Sequence, residues 1–120
     1  MTTDNNYKLG SDYGLMLNAA KAINLSDIYW MESTKSFYIR TPGKNDKKWN
    51  PLKDDDDAFR LFIQLGMNIE HWTEHNRVKI SFGEYRDCVF GPYNDDPVAA
   101  TRRAIVYAAA EMGKLMEKKQ

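Results

Sequence analysis

The stretch that most constrains how this chain can fold is Gly91-Pro92-Tyr93-Asn94-Asp95-Asp96-Pro97, a polar loop running directly into the longest helical pattern in the sequence. Asp96 stands where an N-cap belongs and Pro97 at the first helical position, which predicts the start of the helix. Val98, Thr101, Ile105, Ala108, Met112 and Leu115 or Met116 repeat at helical spacing and predict its buried stripe. Arg103 and Tyr107, four apart, fall on the other side, with Arg102 at the edge. Two adjacent arginines so near a helix start face the positive end of its dipole, a conflict that a bound anion would remove. The loop and helix start are therefore the first candidate for a ligand site. Ala99, Ala100, Ala104 and Ala108 to Ala110 allow close approach, which predicts contact with a second subunit on that face.

The totals suit one domain of 120 residues, with three Trp, seven Tyr and five Phe as the large pieces of a modest core. Seventeen basic and seventeen acidic residues cancel, so no net field draws the chain to nucleic acid or to an anionic membrane, and any anion site is local. The single Cys88 excludes an internal disulfide and reads as a small apolar filler. No stretch resembles a signal peptide or a membrane span, which predicts a soluble cytoplasmic protein.

Residues 1–11 are polar and aperiodic and read as a loose segment before a single domain over 12–120. Ser11 or Asp12 caps a first helix through about Ile23, where Tyr13 and Met16 lie near the edges, open to burial or ligand contact. Ile28 to Glu32 and Phe37 to Arg40 read as a hairpin, and Thr41 to Lys48 as a loop. Trp49 either plugs the core or offers a stacking platform. Asp54 to Asp57 suit the positive start of a helix that Gly66 ends, and they lack the alternation and glycine of a calcium loop. Met67 to His75 and Arg77 to Phe82 form a second hairpin around His75-Asn76, with Val78, Ile80 and Phe82 on the core face. Tyr85 to Phe90 is a last strand. The expected fold is α+β, with a single antiparallel sheet of four or five strands, an N-terminal helix, a middle helix and a long C-terminal helix.

His71-Trp72-Thr73-Glu74-His75 spells an inverted zinc-protease motif, but that motif needs a helix, and here it occupies a strand-like run before a turn. No serine lies in a nucleophile elbow, and no phosphate-cradling glycine loop or spaced carboxylate pair is present. The reading is a binding protein without catalytic residues, metal or cofactor. The alternatives are a small metal-dependent hydrolase and an interaction module that binds another protein. The candidate ligand groups are Phe82, Phe90 and Tyr93 as aromatic faces, with Met16 as a further wall. Asn94, Asp95 and Thr101 are the polar groups, and Arg102 and Arg103 the cations. Each also has an ordinary structural role open to it: core, edge, turn or ion pair.

Trp49-Asn-Pro-Leu-Lys-Asp-Asp-Asp-Asp-Ala-Phe-Arg-Leu, the hairpins, and Asp96-Pro-Val-Ala-Ala-Thr-Arg-Arg-Ala-Ile-Val-Tyr-Ala-Ala-Ala resemble the phage ABA-sandwich domain. Within it, about residues 12 to 116 are most similar to the Thoeris anti-defence one family. The resemblance implies a phage or prophage sponge in the host bacterial cytoplasm that binds, intact, glycocyclic ADP-ribose signals made by TIR-domain immune proteins. It also implies a homo-oligomer, a dimer or a trimer of dimers, with the signal at a subunit interface and separate sites for cyclic trinucleotides. Phe82 matches the family's base-stacking phenylalanine. Asn94 and Asp95 match its polar loop, and Thr101, Arg102 and Arg103 match the helix start that meets phosphate and ribose.

Overall fold

The computed structural model describes residues 11–83 and 87–118. Helix α1 is Asp12–Ala22, followed by strands β1 (Ile28–Met31), β2 (Ser36–Ile39) and β3 (Lys47–Trp49). Helix α2 (Asp55–Gln64) leads to β4 (Asn68–Trp72), a 3₁₀ turn over Thr73–His75, β5 (Arg77–Phe82) and β6 (Asp87–Pro92). The long helix α3 is Pro97–Lys118. The expected loose segment lies outside the described residues over 1–10, and Ser11 is the N-cap of α1, its hydroxyl accepting from the Gly14 amide at 3.0 Å.

The class is α+β with a long C-terminal helix, but the expected single sheet is two three-stranded antiparallel sheets, β1-β2-β3 and β4-β5-β6. The strand hidden from sequence is β3. Its residues Lys47, Lys48 and Trp49 carry one apolar side chain between them, so no alternation announces it. What makes the strand is the return of the Thr41 to Asp46 loop. The Asp46 carboxylate accepts from the Thr41 amide at 3.2 Å and from the Tyr29 hydroxyl at 2.6 Å, and Lys47–Trp49 then pairs with Phe37–Ile39. Helix α2 follows and separates the two ladders.

Helix α3 is the centre of the molecule. Every residue from Ala104 to Ala110 is buried, Tyr107 at 1% exposure included, where a one-sided stripe was expected. A helix apolar all round must be surrounded, and α1, α2, β5 and β6 all pack on this one. The alanines expected to meet a second subunit are thus largely used within the chain: Ala100, Ala104 and Ala108 to Ala110 are all buried. At Gly113 the approach of α1 is so close that a Cβ would stand 1.9 Å from the Asn18 carbonyl oxygen, so a side chain there has no room. Val98, expected in the stripe, is 57% exposed, because α3 begins beyond the elements that cover its middle.

The first sheet is pinned to this body by aromatic contacts and one polar knot. Tyr13 on α1 meets Trp30 and Phe37 at 5.2 and 5.4 Å between ring centroids, and Trp49 is a buried plug next to Phe37. Asn50 is buried and fully used. Its side-chain amide donates to Ser36 Oγ and the Lys35 carbonyl, its side-chain oxygen accepts from Leu52 N and Lys53 N, and its own amide donates to Asp57 Oδ2 at 2.9 Å. Asp54 caps α2 by accepting from Asp57 N, and among the described residues no helix is long and apolar enough to cross a membrane.

Candidate functional site

The starts of α2 and α3 lie side by side, and between them runs a mostly apolar groove of about 480 Å³, within the size range of small-molecule sites. Val98 and Ile105 of α3 and Phe59 of α2 supply its apolar surface, with His71 of β4 at one edge. Phe59 is 61% exposed and stacks on Phe62 at 6.2 Å, so its ring is fixed from one side. Thr101 lines the groove, its hydroxyl donating to the Pro97 carbonyl at 2.7 Å.

Arg102 is the groove's cation. Its Nε donates to the Leu52 carbonyl at 2.8 Å and its Nη1 to Asp55 Oδ1 at 2.6 Å. The arginine side chain is 18% exposed and the aspartate side chain 73%, so the guanidinium is held by the protein while its carboxylate partner stands in water. Arg103 leaves the same turn in another direction and pairs with Asp12 Oδ1 of α1 at 2.9 Å. The dipole conflict that called for an external anion is met in the chain itself, by one carboxylate from each neighbouring helix start.

Arg103 lies in a second, smaller hollow of about 320 Å³ together with Tyr93, Asn94 and Asp95. Asn94 holds a left-handed backbone, φ 56°, at the turn, and Asp96 caps α3 by accepting from Ala99 N at 3.1 Å. Tyr93 is itself buried, and its hydroxyl is hydrogen-bonded to His71 Nδ1, which links the wall of one hollow to the edge of the other. His71 therefore sits in a strand and His75 in the 3₁₀ turn. Among the described residues no group of three or more His, Cys, Asp or Glu is placed to hold a metal ion.

The candidate residues are thus divided. Tyr93, Asn94, Asp95 and Arg103 share the small hollow, and Thr101 and Arg102 share the groove. Phe90 is on the opposite, outward face of its sheet, beside Trp72. Phe82 and Met16 require correction as ligand contacts. Phe82 is 6% exposed and Met16 has no exposed surface, because both point into the core around α3. Cys88, read as a filler, is instead exposed. The sequence reading missed Phe59 and His71. Phe59 and Ile63, four apart and both exposed, form a second apolar line on α2 beside the buried Ala58 and Leu61. His71 shares the inward parity of Ile69 on β4, opposite Val78.

One titration is shifted beside the groove. Burial raises the Asp57 carboxyl above its ordinary value, against the lowering effect of the Asn50 amide that it accepts from. Comparison of the chain with protein-family models, curated proteins and solved structures gives no match.

Proposed function

We propose that this chain is a phage or prophage anti-defence protein of the host bacterial cytoplasm that binds and sequesters, without cleaving it, a cyclic ADP-ribose isomer made by a TIR-domain immune protein. The observation that carries the reading is the state of Arg102: a guanidinium oriented by the Leu52 carbonyl and, among the described residues, paired to the exposed Asp55 alone. An exposed ion pair is worth little, so a phosphate can take the place of Asp55 without a large loss. Across the groove the exposed Phe59 ring can stack a base, and Thr101 and His71 can meet ribose hydroxyls. Such a protein needs affinity rather than catalysis, enough to hold the free signal below the dissociation constant of its receptor. In this reading the sponge is a homo-oligomer, a dimer or a trimer of dimers, and cyclic trinucleotides occupy other sites.

The test is release. Protein mixed with the cyclic ADP-ribose isomer and then heat-denatured returns the ligand unchanged, and recovery of a linear product overturns sequestration in favour of a hydrolase. The outward exposure of Phe59, Ile63 and Val98 favours a second reading, a module that docks a host protein. Absence of any thermal stabilisation by the ligand would put that reading first, because a tight ligand raises the melting temperature.

A further inference from the structure

The outward face of β4-β5-β6 carries a group that the groove does not involve. Strand alternation sends Val78, Ile80 and Val89 inward and Arg77, Lys79 and Phe90 outward, where Trp72 lies across from Arg77 and Phe90 across from Lys79. The Arg77 guanidinium carbon is 4.7 Å from the centroid of Phe90 and 5.2 Å from that of Trp72, and the two rings meet edge to face at 5.2 Å. Lys79 has a counter-ion, Glu70, at 3.6 Å. Arg77 has no carboxylate within ion-pair distance among the described residues, and its Nε is buried without a hydrogen-bond partner.

A half-buried guanidinium with an unused N–H costs free energy that ring faces offset in part. The buried Nε is out of reach from solvent, but the guanidinium charge has no carboxylate partner among the described residues, and an anion at its terminal nitrogens would supply the counter-charge. The surroundings also select the anion's shape: two aromatic rings beside a guanidinium offer a surface on which a flat ring can stack. We propose that this face is a ligand site, independent of the groove, for a small aromatic anion of the nucleoside monophosphate class. The base stacks on the ring surface that the edge-to-face Trp72–Phe90 pair presents, and the phosphate accepts from Arg77 beside it. One unpaired cation provides for one phosphate, and the zero net charge of the chain gives no long-range attraction for a polymer, so the site fits a single nucleotide rather than a strand.

The experiment is a titration of the full chain with AMP, read by tryptophan fluorescence. Trp30 and Trp49 belong to the other sheet, so the signal arises at Trp72 and disappears in Trp72→Phe. Saturable quenching is expected, weakened roughly tenfold or more in Arg77→Gln, with adenosine alone and inorganic phosphate alone each binding more weakly than AMP. If Arg77→Gln fails to fold, Arg77→Lys keeps the charge, loses the planar guanidinium fork, and is expected to weaken AMP as well. The proposal is overturned by absence of saturation up to on the order of 10 mM AMP, or by equal affinity in the folded Arg77 variant. It is also overturned by tighter binding of a single-stranded oligonucleotide with a salt dependence of several phosphates.

Discussion

Arg102 and Arg103 are neighbours in sequence, leave the same turn of α3 and pair with Asp55 and Asp12 respectively, yet their two hollows are built differently. Arg102 is fixed by a backbone carbonyl from the Asn50-Pro51-Leu52 turn, beside an apolar groove with an exposed phenylalanine. Arg103 is more exposed, at 34% against 18% of the side chain, in a smaller hollow that it shares with the polar Asn94 and Asp95. Charge alone does not distinguish the two. Preorganisation and apolar surface do, and these decide whether an anion with a ring attached gains by entering.

The strongest way to break the comparison is to ask which phenylalanine serves the ligand. Phe82→Ala removes a buried ring from the core and is expected to cost about 3–5 kcal/mol of stability, read as a fall in the urea midpoint. Phe59→Ala, at an exposed position, is expected to stay within about 0.5 kcal/mol of the parent while weakening the cyclic ADP-ribose isomer. Should Phe59→Ala prove as destabilising as Phe82→Ala, the groove is part of the core and no site.

The arginines give the next largest contrast. Arg102→Ala is expected to weaken the ligand by roughly ten- to a hundredfold, the scale of a charge-assisted phosphate contact, and Arg103→Ala by less than about threefold. Isothermal titration of the two variants side by side measures this. The reverse order would move the site to the hollow of Tyr93, Asn94 and Asp95.

Much of the scaffold was legible in the sequence because local chemistry dictated it. The caps Ser11 and Asp96, the acidic start of α2, the turn at Asn76 and the helix stop at Gly66, and the inward alternation of Val78, Ile80 and Phe82 are each set by a few neighbouring residues. What was not legible depends on partners far along the chain. Strand β3 exists through its pairing with β2 and the Asp46 carboxylate, and α3 is buried all round because four elements converge on it. The candidate site fell apart for the same reason. Strand alternation puts Phe82 on the core face, and the packing keeps its ring there, away from both hollows. The exposed Phe59 comes from a helix that the sequence alone gave no reason to set beside Arg102.

The finest test of the contrast lies behind Arg102, in the knot that sets the Leu52 carbonyl. Asp57 accepts from the Asn50 amide, and the Asn50 side-chain oxygen in turn accepts from Leu52 N, so this carboxyl supports the turn that orients the guanidinium. Burial raises its pKa, so the folded state binds the proton more tightly than the unfolded chain. Its contribution to stability is then complete below the ordinary carboxylate value and is lost as pH rises through the raised one. Asp46 and Glu32 act oppositely. Both are lowered, Asp46 first by the Tyr29 hydroxyl and Glu32 first by Lys35, so what they contribute is lost as pH falls. Asp57→Asn keeps an acceptor for the Asn50 amide, removes the buried charge and leaves those two carboxylates in place. The variant is therefore expected to gain on the parent as pH rises from the acid range to neutrality, by within about 1 kcal/mol, in thermal melts at matched pH. Ligand affinity should persist in the variant, since the turn persists. A variant that instead lost affinity at unchanged stability would mean that the charge of Asp57, and not the Leu52 carbonyl it helps to place, is what distinguishes the groove of Arg102 from the hollow of Arg103.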